Sequence, residues 1–319
     1  MANQTNQRTS FIPVRPSPTF GAWTDARSQG SPRRQRRECS DHHVVDDGTQ
    51  ARSEIRRLLA AHDHRPTYSF GQNFLADPNI VRRIVAEAKL DESSQVVEIG
   101  AGTGTITSVL AEQAKIVVAY EIDESLEPIL AETLGTRKNV ELRFEDASRT
   151  DLDRALGAGT WTLVGNLPYN VGTGIVLDTL KRASRVTRIV VMVQREVADR
   201  LLANAGSKTY GLPSVIAGLH AEKRFAFAVH PQVFEPRPRV ESAVIVLDRK
   251  VSSRHAARAI ELASTAFGQR RKMLRGSLLS VLEDPESTLA KAGIDPTSRP
   301  EQLVPLEFVA IARAEERDR

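Results

Sequence analysis

Between residues 96 and 247 short apolar runs alternate with stretches whose apolar positions recur every three or four residues. The runs at 96–99, 116–120, 140–144, 161–164, 188–193, 225–229 and 243–247 predict strands, and the spacing at 106–114 and 125–134 predicts helices. Strands separated by helical segments imply a mainly parallel sheet covered on both faces. Ahead of it, Ile55, Leu58 and Leu59 lie at helical spacing, a Gly- and Asn-containing loop spans 70–75, and Asp77-Pro78 opens a helix carrying Ile80, Ile84 and Val85. After Arg249 the strand signal stops, and the segments 253–267, 270–282, 287–292 and 305–314 all predict helices. No internal repeat is visible.

Residues 1–50 behave differently. They are rich in Arg, Ser, Thr, Gln, Pro and Asp, include the cluster Arg33, Arg34, Arg36 and Arg37, and carry no apolar period. Such a stretch buries too little surface to offset its ordering entropy, so it is expected to be disordered. The expected organisation is therefore a disordered extension over 1–50, an α/β domain over 51–249 and a small helical domain over 250–319.

Composition narrows the setting. Hydrophobic residues at 40% and charged residues at 26% are the balance of an ordinary globular protein. Lys and Arg exceed Asp and Glu by 44 to 40, a mildly basic balance that permits a polyanionic partner. The single cysteine, Cys39, excludes an internal disulfide and a cysteine-built metal site, and a reducing cytoplasm is the expected compartment. The longest apolar runs fall far short of the roughly 20 residues that cross a bilayer, so no membrane is expected. The seven histidines show no ligand or triad spacing, and no metal is expected. The protein is expected to act as a monomer.

Glu98-Ile99-Gly100-Ala101-Gly102-Thr103-Gly104 ends the first predicted strand and leads into a helix. Glycines at this turn remove Cβ atoms and let a ligand lie against the backbone, and ligands of open α/β sheets bind at the carboxyl ends of strands. Glu121 follows the second strand, 21 residues beyond Gly100, where a carboxylate can accept from both ribose hydroxyls. Asp146 follows the third strand, placed to accept from an adenine amine. A glycine turn and two acids at successive strand ends point to an adenosine-containing cofactor, NAD or S-adenosyl-L-methionine.

The loop Gly165-Asn166-Leu167-Pro168-Tyr169-Asn170, directly after the strand at 161–164, separates the two. Adenine N6 is a poor nucleophile because its lone pair is delocalised into the ring, so a catalyst must favour the tetrahedral geometry of the attacking nitrogen. Two acceptors around its N–H groups do this. The Asn166 side-chain oxygen and the Leu167 carbonyl, held by the rigid Pro168, supply that pair, and Tyr169 can stack on a flipped base. Attack on a sulfonium methyl needs no strong base, because the cationic amine it leaves can lose its proton to water.

With these stretches the chain resembles the KsgA-type family, the small-subunit ribosomal RNA adenine N6,N6-dimethyltransferases, over roughly residues 51–314. Further matching stretches are Gly71-Gln72-Asn73-Phe74-Leu75, the run from Gln194 to Leu201, Ser207-Lys208-Thr209-Tyr210-Gly211, the run from Phe234 to Ser242, and Phe267 to Arg275. The resemblance implies a Rossmann-like S-adenosylmethionine-dependent methyltransferase fold with a small C-terminal all-helical domain. It implies cofactor contacts at Asn73, Leu75, Gly100, Glu121, Asp146 and Asn166. It also implies a pre-30S particle as partner, in which two adjacent adenosines near the 3′ end of small-subunit RNA are each dimethylated at the expense of four cofactor molecules. Ala101 departs from the family's frequent proline, and Val171-Gly172-Thr173 replaces a more usual Ile-Ser-Thr. The tail before Ala51 has no counterpart.

Two segments are expected to meet RNA. Phe234-Glu235-Pro236-Arg237-Pro238-Arg239 is too proline-rich for a helix, so it should be a stiff loop in which Phe234 offers a second aromatic face to the base and Arg237 and Arg239 meet phosphates. Between Glu261 and Glu283 there are four basic residues and no acid. On a helix Arg271, Lys272 and Arg275 would form one basic patch while Met273, Leu274 and Leu278 face inward. Three other readings compete: a large-subunit RNA adenine methyltransferase of the antibiotic-resistance type, an assembly factor with secondary catalysis, and an NAD-dependent oxidoreductase, which leaves the Asn-Leu-Pro-Tyr loop unexplained.

Overall fold

The structure, a computed structural model, describes residues 49–67, 70–135 and 137–316. The chain runs α1 (Arg52–Ala61), β1 (Phe74–Leu75), α2 (Pro78–Ala88), β2 (Gln95–Ile99), α3 (Thr105–Gln113), β3 (Ile116–Glu121), α4 (Glu127–Leu134), β4 (Val140–Phe144) and α5 (Leu152–Ala155). It continues through β5 (Trp161–Asn166), α6 (Gly172–Arg182), β6 (Val186–Gln194), α7 (Arg195–Leu202), α8 (Leu212–His220), β7 (Ala221–Val229), β8 (Phe234–Glu235) and β9 (Ser242–Arg249). The helices α9 (Ala256–Gly268), α10 (Leu274–Ser277), α11 (Pro285–Lys291) and α12 (Pro305–Glu316) complete it.

Seven strands form one sheet in the order β4-β3-β2-β5-β6-β9-β7. The first five are parallel, and β9 and β7 are antiparallel to their neighbours. The sheet is Rossmann-like. Successive strand side chains alternate between its faces, and the two faces build separate cores. Val96, Val117, Val164, Val190 and Met192 pack with α1 to α4, while Val97, Val118, Leu163, Ile189 and Val191 pack with α5 to α8. This is why the strands read as continuous apolar runs: both faces are covered. Strand order reverses where β2 lies between β3 and β5, and the carboxyl ends of β2 and β5 open side by side there.

A third core gathers Leu262, Ala263, Leu274, Leu289, Phe308 and Ile311 from the C-terminal helices. It also takes in Ala203, Tyr210, Val215 and Leu219, which precede the expected boundary at residue 250. The pattern reading does not place α6, α7 and α8, which crowd apolar residues against the sheet and this third core.

Two expectations are corrected. The helix expected over 270–282 is instead a turn over 270–272 followed by the single short helix α10. Tertiary bonds decide this: the Leu274 N–H donates to the Ser298 carbonyl and the Arg275 N–H to the Pro296 carbonyl, which holds Met273 extended at φ −64 and ψ 152. Leu274 and Leu278 are buried as expected, but Met273 is 43% exposed. The end of the segment expected to be disordered, residues 49 and 50, lies among the described residues. Gln50 is buried, its amide donating to the Thr103 carbonyl at 2.7 Å and accepting from the Thr103 hydroxyl at 2.5 Å. Residues 1–48, with Cys39 and the arginine cluster, lie outside the described residues.

Tyr210 ties the helices to the sheet side of the third core, donating its buried hydroxyl to the Leu303 carbonyl at 2.7 Å and packing edge-on against Phe267. Tyr210→Phe keeps the ring and strands the carbonyl, so it is expected to cost about 1–2 kcal/mol in chemical denaturation, and an unchanged midpoint would show that the bond contributes nothing.

Candidate active site

The glycine turn leaves β2 with Gly100 at φ +85, a conformation that a side chain strongly disfavours. Its N–H and that of Ala101 both donate to the Tyr120 carbonyl of β3, and a Cβ built on Gly100 would lie 3.3 Å from the Asn166 carbonyl oxygen. The turn and the Asn166 loop are thus in contact across the point where strand order reverses. From the opposite side comes the segment 70–74. Gly71, at φ +66, brings its backbone against Pro168, where a Cβ would sit 3.4 Å from that ring. The pairing of Phe74 and Leu75 with Glu235 and Phe234 pins the end of this segment.

These pieces line an open pocket, about 750 Å³ with its solvent-filled mouth, walled by Asn73, Gly100, Glu121, Asp146, Asn166 and Tyr169, among others. A second, more open space of about 1260 Å³ adjoins it across Gly71, Asn73 and Tyr169 and is walled by Gln194, Arg237 and Arg239. Glu121 sits at the first cavity with 7% exposure. One carboxylate oxygen accepts from the Ile122 and Asp123 N–H groups at 2.9 and 3.0 Å, and the other from Gly102 at 2.8 Å. Asp146 is turned partly inward, accepting from the Ser148 N–H and hydroxyl and pairing with Arg149 at 3.3 Å.

The decisive side chain is Asn166. Its amide nitrogen donates one of its two N–H groups to the Asn73 carbonyl at 2.9 Å, which fixes the amide's orientation, and among the described residues no donor reaches the side-chain oxygen. Tyr169 stands half-buried beside it, its hydroxyl 2.7 Å from that of Ser242. Among the described residues no backbone N–H is donated to the Leu167 carbonyl, whereas the Pro168 carbonyl is taken by Val171 and Gly172.

The family model for "Ribosomal RNA adenine dimethylase" matches residues 63–314. The chain is 41% identical over 276 residues to Ribosomal RNA small subunit methyltransferase A of Nocardia farcinica, covering 82% of this chain and 93% of that relative. The chain belongs to the ribosomal RNA adenine dimethylase family. Among solved structures, a dimethyladenosine transferase from Plasmodium falciparum has a TM-score of 0.63 at 23% identity, covering 75% of this chain and 95% of that one. The 23S rRNA methyltransferase ErmE has a TM-score of 0.62 at 24% identity, covering 76% and 100%. Both likenesses concern the fold alone.

As a ribosomal RNA adenine dimethylase the protein draws its methyl groups from S-adenosyl-L-methionine, and the residues present fit that group. A carboxylate has about four acceptor positions; Glu121 uses three on backbone N–H groups, which leaves room for one ribose hydroxyl and not the two expected. Burial raises its carboxyl pKa, and the three N–H donors oppose that rise. Glu98, one residue before the turn's Ile99, is fully buried, and burial pushes its carboxyl up to about 8, with Glu121 adding in the same direction. The Thr107 hydroxyl pulls the other way without reaching hydrogen-bond geometry. Glu98 is therefore mostly protonated at pH 7.

The other expected residues of the dimethylase fall into four groups. Arg237 and Arg239 line the second space and are exposed, with no ion pair among the described residues. Arg271 and Lys272 are exposed on the turn after α9, while Arg275 is paired with Glu286 at 3.1 Å, so the three do not share a helical face. Leu75 is 2% exposed and lies outside the cavity lining. Phe234 is corrected: its ring is fully buried in the core under α1 to α4, so it has no free face to lay on a base. Sequence reasoning gave no role to Gln50, Gln72, Glu98, Asp123 or Gln194. Only Gln72, Glu98 and Gln194 carried a signal, each standing inside a matched motif.

The Glu98 carboxyl gives a pH signature. Its folded pKa is raised, so its contribution to stability is whole below its ordinary value of 4.5 and is lost as pH climbs towards 8. Glu98→Gln escapes that loss. The melting temperature of the variant is expected to gain on the wild type by roughly 5–10 °C between pH 5 and 8, and a constant difference across that range would assign Glu98 an ordinary pKa.

Proposed function

We propose that this dimethylase methylates N6 of two adjacent adenosines near the 3′ end of small-subunit ribosomal RNA, twice each, acting as a cytoplasmic monomer on a pre-30S particle. The single observation that carries the reading is the Asn166–Asn73 bond, because it turns the Asn166 amide so that its oxygen is an acceptor in the first cavity, near Tyr169, which lines both spaces. The relatives at about 40% identity named for the small subunit favour that substrate over the large-subunit type.

S-adenosyl-L-methionine supplies an electrophilic methyl group on a sulfonium. Gly100, Glu121, Asp146, the backbone about Asn73 and the Asn166 loop are the residues that would hold it. A target adenine, swung out of its strand through the second space, stacks on Tyr169. Its amino group donates one N–H to the Asn166 oxygen and the other to the Leu167 carbonyl, which Pro168 keeps from turning away. Two acceptors at these angles favour the pyramidal nitrogen that attacks and disfavour the planar one conjugated with the ring. After transfer the amine is cationic, and its proton passes to water. A second round proceeds once the singly methylated base turns its remaining N–H to one acceptor.

Arg237 and Arg239 meet phosphates beside the flipped base, and Arg271 and Lys272 meet them farther off. Arg275 contributes only if its pairing with Glu286 yields.

Asn166→Ala is expected to lower methyl transfer to immature small subunits by about 10²–10³-fold while RNA affinity stays within a few-fold. Wild-type turnover in that variant would refute the assignment, and tritiated methyl groups confined to large-subunit RNA would refute the substrate. Replacing Arg271 and Lys272 together by Ala is expected to reduce the slope of log affinity against log salt by about 2, and an unchanged slope would place them off the RNA.

A further inference from the structure

Gln72 has no part in the chemistry described above, yet both ends of its side chain are engaged. Its oxygen accepts from the Thr67 N–H at 2.6 Å, and its nitrogen donates to the Asp123 carboxylate at 2.6 Å. Asp123 is 6% exposed and in turn donates its own N–H to Glu121 at 3.0 Å, the carboxylate placed on the ribose side of the cavity. Its other oxygen accepts from the N–H and hydroxyl of Ser125, so its position is fixed by the loop after β3.

The next residue along from Gln72 is Asn73, whose carbonyl receives the Asn166 amide. A continuous set of bonds therefore runs from Glu121 through Asp123 and Gln72 to the backbone that orients Asn166. Besides the Asp123 bond, the Thr67 N–H on the Gln72 oxygen, the contact of Gly71 with Pro168, the Asn73 amide on the Gly71 carbonyl at 3.0 Å and the two-residue pairing at Phe74 hold that carbonyl in place. An amide released from Asn73 can rotate by half a turn, which would offer a donor where the adenine amine needs an acceptor.

We propose that Gln72 is a positioning residue: by bonding Asp123 it fixes the Asn73 carbonyl, which keeps the Asn166 oxygen towards the target amine. This rests on the assignment of Asn166 made above. Gln72 touches neither reacting atom in this scheme, so its effect belongs to kcat and depends on residue 166 being an asparagine.

Single-turnover and steady-state methylation of unmethylated small subunits by the full chain tests it. Gln72→Leu is expected to lower kcat about tenfold to a hundredfold, with the KM for subunits within about threefold and the melting temperature nearly unchanged. Asp123→Ala cuts the same bond from the other side, so it should cost as much, and the double variant little more than either alone. The separating measurement uses Asn166→Asp. A carboxylate keeps acceptor oxygens but cannot donate to Asn73, so in that background Gln72→Leu is expected to change the rate by less than about twofold. Wild-type kcat in Gln72→Leu, a loss confined to KM or melting temperature, additive Gln72 and Asp123 effects, or an equal loss in the Asn166→Asp background would each overturn the inference while leaving Asn166 in its role. Wild-type turnover of Asn166→Ala would instead remove that role and the inference with it.

Discussion

A primary amide carries a donor and an acceptor on one small planar group, and catalysis on an exocyclic amine can use only the acceptor. The bond from the Asn166 nitrogen to the Asn73 carbonyl resolves that ambiguity, and much of the surrounding structure serves to make it. Asn166 ends a parallel strand whose neighbour ends in the glycine turn. Asn73 belongs to a segment 93 residues earlier that must cross the strand ends to reach it. The crossing is close because Gly71 and Gly100 present no side chain to Pro168 and to the Asn166 backbone.

The sheet makes this possible by being buried twice over. Alternate residues of β2, β3, β5 and β6 feed two cores, so the strand ends have little freedom to shift relative to one another. The same burial takes Glu98 out of solvent immediately behind the turn. Burial raises the pKa of both carboxyls, and around Glu121 the backbone N–H groups oppose that rise. On the far side of the turn, Gln50 and the Thr133 hydroxyl both donate to the Thr103 carbonyl, so the turn is gripped from its outer face as well.

The basic surface proposed to meet RNA is more selective than the count of basic residues suggests. Arg275 is occupied by Glu286, and Arg270 donates to the Lys208 carbonyl and lies 3.8 Å from Glu301. Arg271 and Lys272 directly precede the exposed Met273 at a turn, in place of a long helical stripe. Arg237 and Arg239 stand at the mouth of the second space, close to where a flipped base would leave its strand.

The strand runs, the glycine turn, Glu121, Asp146 and the Asn-Leu-Pro-Tyr loop were legible in the sequence because each depends on residues adjacent in the chain: a period, a turn, a motif. The parallel sheet followed from the same local signals, since strands spaced by helices can close in few other ways. The sequence alone therefore determined the class of fold, the strand ends that carry the cavity and the kind of chemistry the loop can support. Tertiary structure alone decided what depends on distant partners. Phe234 reads as an exposed aromatic in a proline-rich loop, but pairing with β1 turns it into the core. Residues 270–282 have helical periodicity, but bonds to 296–298 take the backbone at Leu274 and Arg275. Gln50 and Gln72 look like polar loop residues until the fold brings Thr103 and Asp123 to them. Local periodicity fixes which residues can form an element, but which hydrogen bond a side chain or a loop backbone makes is set by groups that only folding brings within 3 Å.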